Sequence, residues 1–174
     1  MAGFLIEQPA SLNKRSFQEP LTSLNKRSFQ VKYISNSPDE TFYIGKNIAN
    51  FLKAGSVVAL QGTLGSGKTY LTKGIASGLE ITDNITSPTY TIINEYPVKI
   101  ASCPGLYHID LYRLKSEKDF IDIGGIEIIN SGGICIIEWS EYIQKLLPDN
   151  KISISIHITG SLSRLIEISG LEKS

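Results

Sequence analysis

Apolar residues recur along this chain at two spacings. Val31-Lys32-Tyr33-Ile34 alternates as a short strand does. Ser37-Pro38-Asp39-Glu40 then opens a helix: Ser37 can cap, Pro38 suits the first helical position, and Glu40 completes a capping box. Ile44, Ile48, Phe51 and Leu52 recur at i, i+4, i+7 and i+8 on one face, and Gly55 is placed to end that helix. Ser56–Leu60 is a short apolar run bounded by glycines, the pattern of a strand buried on both faces in a parallel sheet. Leu71, Ile75 and Leu79 return to helical spacing. Further strands are expected near 90–95, 106–110 and 133–138, and helices over Lys115–Ile123 and Glu141–Leu147. Ile152, Ile154, Ile156 and Ile158 at period two, then Leu165–Ile168 beyond Gly160, predict an antiparallel hairpin. The order predicts an α/β fold with a mixed sheet.

The first thirty residues break this pattern. Ser-Leu-Asn-Lys-Arg-Ser-Phe-Gln occupies 11–18 and recurs unchanged at 23–30. Two copies are too few for a solenoid, so the plainer reading is a duplication in a loosely constrained tail. The alternative is an RNA contact, since each copy carries a basic pair (Lys14-Arg15, Lys26-Arg27) and a phenylalanine (Phe17, Phe29). The expected division is a flexible extension over 1–30 and a folded domain over 31–174.

Composition narrows the classes of function. A chain of 174 residues, 41% hydrophobic and 20% charged, suits one globular domain with a sizeable core. Seventeen basic and seventeen acidic residues cancel, which removes any global electrostatic pull on nucleic acid. Cys103 and Cys135 show no CxxC spacing, so free thiols in a reducing compartment are expected, with Cys135 in the core. No apolar run approaches the roughly 20 residues of a membrane span. The N-terminus lacks the charged and long apolar regions of a signal peptide, and a cytoplasmic location is expected.

The strongest chemical signal is Gly62-Thr63-Leu64-Gly65-Ser66-Gly67-Lys68-Thr69, a match to G-x-x-x-x-G-K-[ST] at every position. It lies between a predicted buried strand and a predicted amphipathic helix, the setting this motif requires. Glycines let the backbone turn so that successive N–H groups face phosphate oxygens, and the helix N-terminus adds its positive end. Lys68 supplies a full charge toward the β- and γ-phosphates, and the Thr69 hydroxyl is the expected magnesium ligand. The nucleotide-contacting stretch is taken as Leu64 to Tyr70. The fold expected from this motif is a three-layer P-loop NTPase with a mixed, mostly parallel sheet and a C-terminal antiparallel hairpin.

Such a site also needs an acid at a strand end. Asp110 ends Leu106–Asp110, and Glu138 ends the apolar run Ile134–Ile137. Ser87-Pro88-Thr89-Tyr90-Thr91 lies where P-loop proteins often carry a nucleotide-sensing switch, or is a turn set by Pro88. His108 reads as a structural histidine before a proton shuttle. Arg113 suits a phosphate or a nearby acid equally. Trp139, the single tryptophan, either packs over the site or anchors the sheet edge.

Taken together, Gly62–Thr69, Ser87–Tyr90, His108–Leu114 (His-x-Asp-Leu-Tyr-Arg-Leu) and Ile134–Trp139 resemble the TsaE family, also called YjeE, from about residue 31 to about 170. The resemblance implies an ATPase of tRNA N6-threonylcarbamoyladenosine (t6A) formation that binds ATP and Mg2+. It implies action with TsaB and TsaD to permit repeated turnover, touching tRNA indirectly through that complex. Carried over by position, Lys68 contacts phosphates, Thr69 and Glu138 serve magnesium, Asp110 serves hydrolysis, Ser87–Thr91 is the switch loop, and Thr41 lies near the adenine. Thr63 and Ser66 depart from the family's usual Asp and Ala, at positions where the backbone does the binding. The duplicated tail is outside the family pattern. Two rivals remain at this point: a small-molecule kinase, against which no arginine-rich lid follows the P-loop helix, and a nucleotide-gated binding module. Absence of an Asn-Lys-x-Asp motif leans toward adenine over guanine.

Overall fold

The computed structural model describes residues 6–7, 29–88, 91–114 and 116–171. Its strands are β1 (Ile6–Glu7), β2 (Phe29–Ser35), β3 (Val57–Gln61), β4 (Ile93–Tyr96), β5 (Leu106–Asp110), β6 (Ile134–Glu138), β7 (Ile152–Ile158) and β8 (Arg164–Leu171). They form one sheet in the order β1-β2-β8-β7-β3-β6-β5-β4. The centre is parallel: β3 lies between β6 and β7, and β5 continues beyond β6. The flanks are antiparallel, with β7–β8 forming the expected C-terminal hairpin, β2 pairing β8, and β4 closing the far edge. β1 comes from the segment preceding residue 31 and pairs parallel with β2, which itself starts inside the second repeat copy at Phe29. The remainder of the duplicated segment lies outside the described residues.

Among the described residues, four α-helices cover the sheet: α1 (Pro38–Ile48), α2 (Lys68–Gly78), α3 (Glu117–Asp122) and α4 (Gly125–Ile129). Strand alternation divides the core into two layers. Val58, Leu60, Ile134 and Ile136 face α1 and α2, meeting Ile44, Ile48, Leu71 and Ile75. Val57, Ala59, Cys135 and Ile137 face the other way, toward Phe120, Ile143 and Leu147. The continuous apolar runs of β3 and β6 are therefore buried on both sides, as a central parallel strand requires.

Local chemistry explains most element ends. Ser37 Oγ accepts from Glu40 N–H at 3.1 Å, Pro38 follows it, and the Glu40 carboxylate reaches back to Asn36 N–H. Ser116 caps α3 in the same way through Asp119 N–H. One expectation is corrected and another is refined. The helix expected to run to Gly55 ends at Ile48 and tightens into a 3-10 turn over Ala49–Phe51, while Gly55, at φ +79°, makes the turn before β3. The segment expected to be helical over Glu141–Leu147 is helical of the 3-10 kind over Ser140–Leu146, and the break at Ile143, where φ is −130°, is the part not expected. Ser140 Oγ bonds Leu60 O at 3.2 Å, pinning this turn to the strand before the glycine-rich loop.

Candidate nucleotide-binding site

The Gly62–Thr69 loop joins the end of β3 to the start of α2, so its main chain is presented at the C-terminal end of the parallel strands. Two glycines are sterically required. Gly62 has φ +147°, and a Cβ there would lie 2.6 Å from Ile156 O. Gly67 caps α2 at φ +107°, with Thr41 Cγ2 lying 3.8 Å from where its Cβ would stand. Thr41 is buried beside the loop and shares a 2.8 Å hydrogen bond with the buried Ser35 hydroxyl. Thr41, which the resemblance implies lies near the adenine, stands on α1 beside the loop.

Lys68 is only 5% exposed although it carries a charge. Its ammonium donates to Gly62 O at 2.6 Å and Thr63 O at 3.2 Å, and lies 3.8 Å from the centre of the Trp139 ring. Burial lowers its pKa, while Glu138, Glu141 and Asp110 pull the other way. Trp139 reaches over the lysine by leaving β6 in the left-handed region, at φ +61° and ψ +36°, a conformation that costs a bulky residue about 1–3 kcal/mol. Its ring stacks on Tyr142 and tilts against Tyr112.

The two strand-end acids are brought together by register. Asp110 and Glu138 are direct partners across β5 and β6, and Glu138 is also opposite Leu60 on β3. Glu138 is 3% exposed and receives the Thr69 hydroxyl at 3.0 Å. Its Oε1 is 2.9 Å from Nε2 of the fully buried His108. A carboxylate only accepts, so Nε2 carries the hydrogen in this contact. His108 is thus a buried partner of the acid and does not line the opening. Asp110 accepts from Ser87 Oγ at 2.5 Å and from Tyr112 N–H at 3.0 Å. Ser87 belongs to the predicted switch segment and Pro88 follows it; Thr89 and Tyr90 lie outside the described residues. Leu64 and Tyr70, at the loop's outer rim, are exposed, as is Arg113. Ser66 is fully buried, and its hydroxyl has no hydrogen-bond partner among the described residues.

Arg164, at the start of β8, escaped sequence reasoning. Its guanidinium donates to Ser66 O at 2.9 Å and Gly65 O at 3.2 Å from 98 and 99 residues away. No local motif announces such a contact; only the predicted hairpin placed its strand.

A glycine-rich loop between a buried parallel strand and a helix, with a lysine and threonine at the helix start and acids on neighbouring strands, defines a P-loop nucleotide-binding protein. The family described as threonylcarbamoyl adenosine biosynthesis protein TsaE matches residues 35–166. The chain belongs to the TsaE family. It is 40% identical over 138 residues to the tRNA threonylcarbamoyladenosine biosynthesis protein TsaE of Treponema pallidum, covering 79% of this chain and 99% of that protein. It is 41% identical over 136 residues to its Bacillus subtilis counterpart, covering 78% and 83%. The crystal structure of Bacillus subtilis YdiB superposes with a TM-score of 0.67 at 35% identity, covering 85% of this chain and 90% of that one. Among the described residues, no helix is long and apolar enough to cross a membrane.

Proposed function

We propose that this chain binds and hydrolyses ATP as an accessory protein of t6A formation, acting with TsaB and TsaD in the cytoplasm so that the modifying complex turns over repeatedly. The observation that carries the hydrolytic reading is the convergence at one end of the sheet of Lys68, the Thr69–Glu138 pair and Asp110.

Thr69 and Glu138 present a hydroxyl and a carboxylate 3.0 Å apart. This all-oxygen pair fits magnesium, which prefers hard oxygen ligands and keeps several waters. When bound, the ion would neutralise phosphate charge. The protein's own groups do the rest. Loop amides and Lys68 hold the phosphates, and the Thr41–Ser35 hydroxyl bond fixes the end of α1 beside the loop. Asp110, fixed through both oxygens by Ser87 and Tyr112 N–H, orients a water at the γ-phosphorus. The water oxygen bonds to phosphorus, the bond to the β–γ bridging oxygen breaks, the water's protons pass to a phosphate oxygen and to solvent, and ADP and phosphate leave. A carboxylate is a feeble base, so orientation contributes more than proton removal. The Ser87–Asp110 bond ties that acid to the switch segment, so docking of TsaB–TsaD against this segment would reach the acid through Ser87.

The test is phosphate release by the chain alone and mixed with TsaB and TsaD, alongside the number of tRNAs modified per complex. Faster release and multiple rounds only in the full mixture are expected. Equal rates with and without the partners would refute the coupling.

A further inference from the structure

Arg164 stands at the register point where β8 meets both neighbours, opposite Ser35 on β2 and Ile158 on β7. From there its side chain spans two segments. Nη1 donates to Gly160 O at 3.2 Å and Ser163 O at 2.9 Å in the hairpin turn. Nε and Nη2 donate to Ser66 O at 2.9 Å and Gly65 O at 3.2 Å in the glycine-rich loop. A planar guanidinium carries three nitrogens in a fixed fork, so it holds two loop carbonyls and two turn carbonyls at once, a span that the single nitrogen of a lysine does not have.

In a trans peptide the C=O and the following N–H point in opposite directions. Holding Gly65 O and Ser66 O toward the hairpin therefore turns the amides of Ser66 and Gly67 to the other side, into the loop. Ser66 N–H lies on the side away from the guanidinium and donates to Thr63 O at 3.1 Å, a bond that a phosphate oxygen would have to replace. Gly65 and Gly67, at φ +75° and +107°, are free to flip because neither carries a Cβ. Left alone, these peptide planes would sample orientations that aim carbonyl oxygens at a phosphate. A cation on their outer side selects the orientation that aims amides inward.

We propose that Arg164 is a positioning residue for nucleotide binding: it locks the Gly65–Ser66 and Ser66–Gly67 peptide planes so that the loop presents donors to phosphate. The inference rests on the phosphate-cradle reading and adds the hairpin as part of the binding machinery. Since the amides hold phosphate equally in ground and transition states, loss of the lock weakens binding and spares the chemical step.

The experiment compares wild type, R164Q, R164K and R164A for ATP and ADP affinity by calorimetry, for KM and kcat, and for nucleotide-free thermal stability. R164Q is expected to weaken nucleotide binding and raise KM by about ten-fold, with kcat at saturation within about two-fold of wild type. R164K should recover only part of the loss, and millimolar guanidinium should restore affinity to R164A. Wild-type affinity in both R164Q and R164K, or a drop in melting temperature with affinity unchanged, would overturn the inference and leave the cradle standing. Failure of the wild type itself to bind ATP or ADP would overturn both.

Discussion

Asp110 and Glu138 lie directly opposite one another on adjacent parallel strands, yet their carboxylates are engaged by different parts of the chain. Glu138 faces Thr69 and His108, in the interior; Asp110 faces Ser87 and the Tyr112 amide, at the rim. The pair therefore separates by substitution. Asp110→Asn keeps the size, its carbonyl oxygen can still accept from Tyr112 N–H, and its NH2 can donate to the Ser87 hydroxyl in a reversed contact, so nucleotide affinity should be unchanged while hydrolysis falls by about 10²–10⁴-fold. Glu138→Gln should instead remove the magnesium dependence of nucleotide affinity. Calorimetric titration of ADP with and without magnesium, beside phosphate release, reads both effects. Should Asp110→Asn still support repeated tRNA modification, hydrolysis would be incidental and the chain a nucleotide-gated binding module.

Lys68 and Trp139 form the second testable contact. The ammonium lies 3.8 Å from the ring centre, and Trp139 is the single tryptophan in the chain. Phosphate competes with the ring and the loop carbonyls for that ammonium. Titration with ATP should accordingly change tryptophan emission, saturating with nucleotide occupancy. Lys68→Met should show altered emission without nucleotide and no response to it. An unchanged wild-type spectrum at saturating ATP would mean the lysine stays on the ring.

The α1–α2 contact yields a prediction opposite to helix propensity. A Cβ at Gly74 would sit 2.0 Å from Phe42 O, and one at Gly45 would sit 2.3 Å from Leu71 O. In an exposed helix, Gly→Ala stabilises by about 1 kcal/mol. Here Gly74→Ala must push the helices apart, and a net loss of about 1–3 kcal/mol is expected from overpacking. Because Gly74 lies on α2, the helix that carries Lys68 and Thr69 in its first turn, the same substitution should also weaken ATP binding. Urea unfolding and calorimetry check the two effects separately.

These contacts mark where the sequence was legible. The central strands, the glycine-rich loop and the helix after it could be read because each is defined by local spacing: Val57–Leu60 by an unbroken apolar run, Gly62–Thr69 by glycine placement, Ile152–Ile156 by period two. The strand-end acids were legible for the same reason, although their shared register was not. The Arg164 fork joins residues 98 and 99 positions apart, and the interlocked Gly45 and Gly74 look like mere weak points in their helices. The stretch after Trp139 has helical composition, yet Trp139 enters it left-handed and Ser140 is tied to Leu60 O, which tightens it to 3-10. α4 was hidden because its run of isoleucines follows two glycines, and Gly125 is needed where Phe120 packs against it.

The last prediction concerns pH. Burial lowers the Lys68 pKa from its ordinary 10.5, in spite of Glu138, Glu141 and Asp110. The unfolded chain thus binds this proton more tightly than the folded one. Below the lowered value both states are protonated and the full cost of burying the charge opposes folding. As pH rises from that value toward 10.5, the folded lysine releases its proton first and the cost is relieved. Stability from this group therefore increases with pH across that window. Cys135 acts in the reverse sense: burial pushes its thiol from 9.0 up to about 12, so folding loses stability above 9.0 as the unfolded chain ionises. Comparing wild type with Lys68→Met cancels the cysteine. Nucleotide-free Lys68→Met is expected to be the more stable in urea at neutral pH, with its advantage shrinking as pH approaches 10.5. A gap between the two that stays constant across the range would show that burial of the Lys68 charge does not strain the fold.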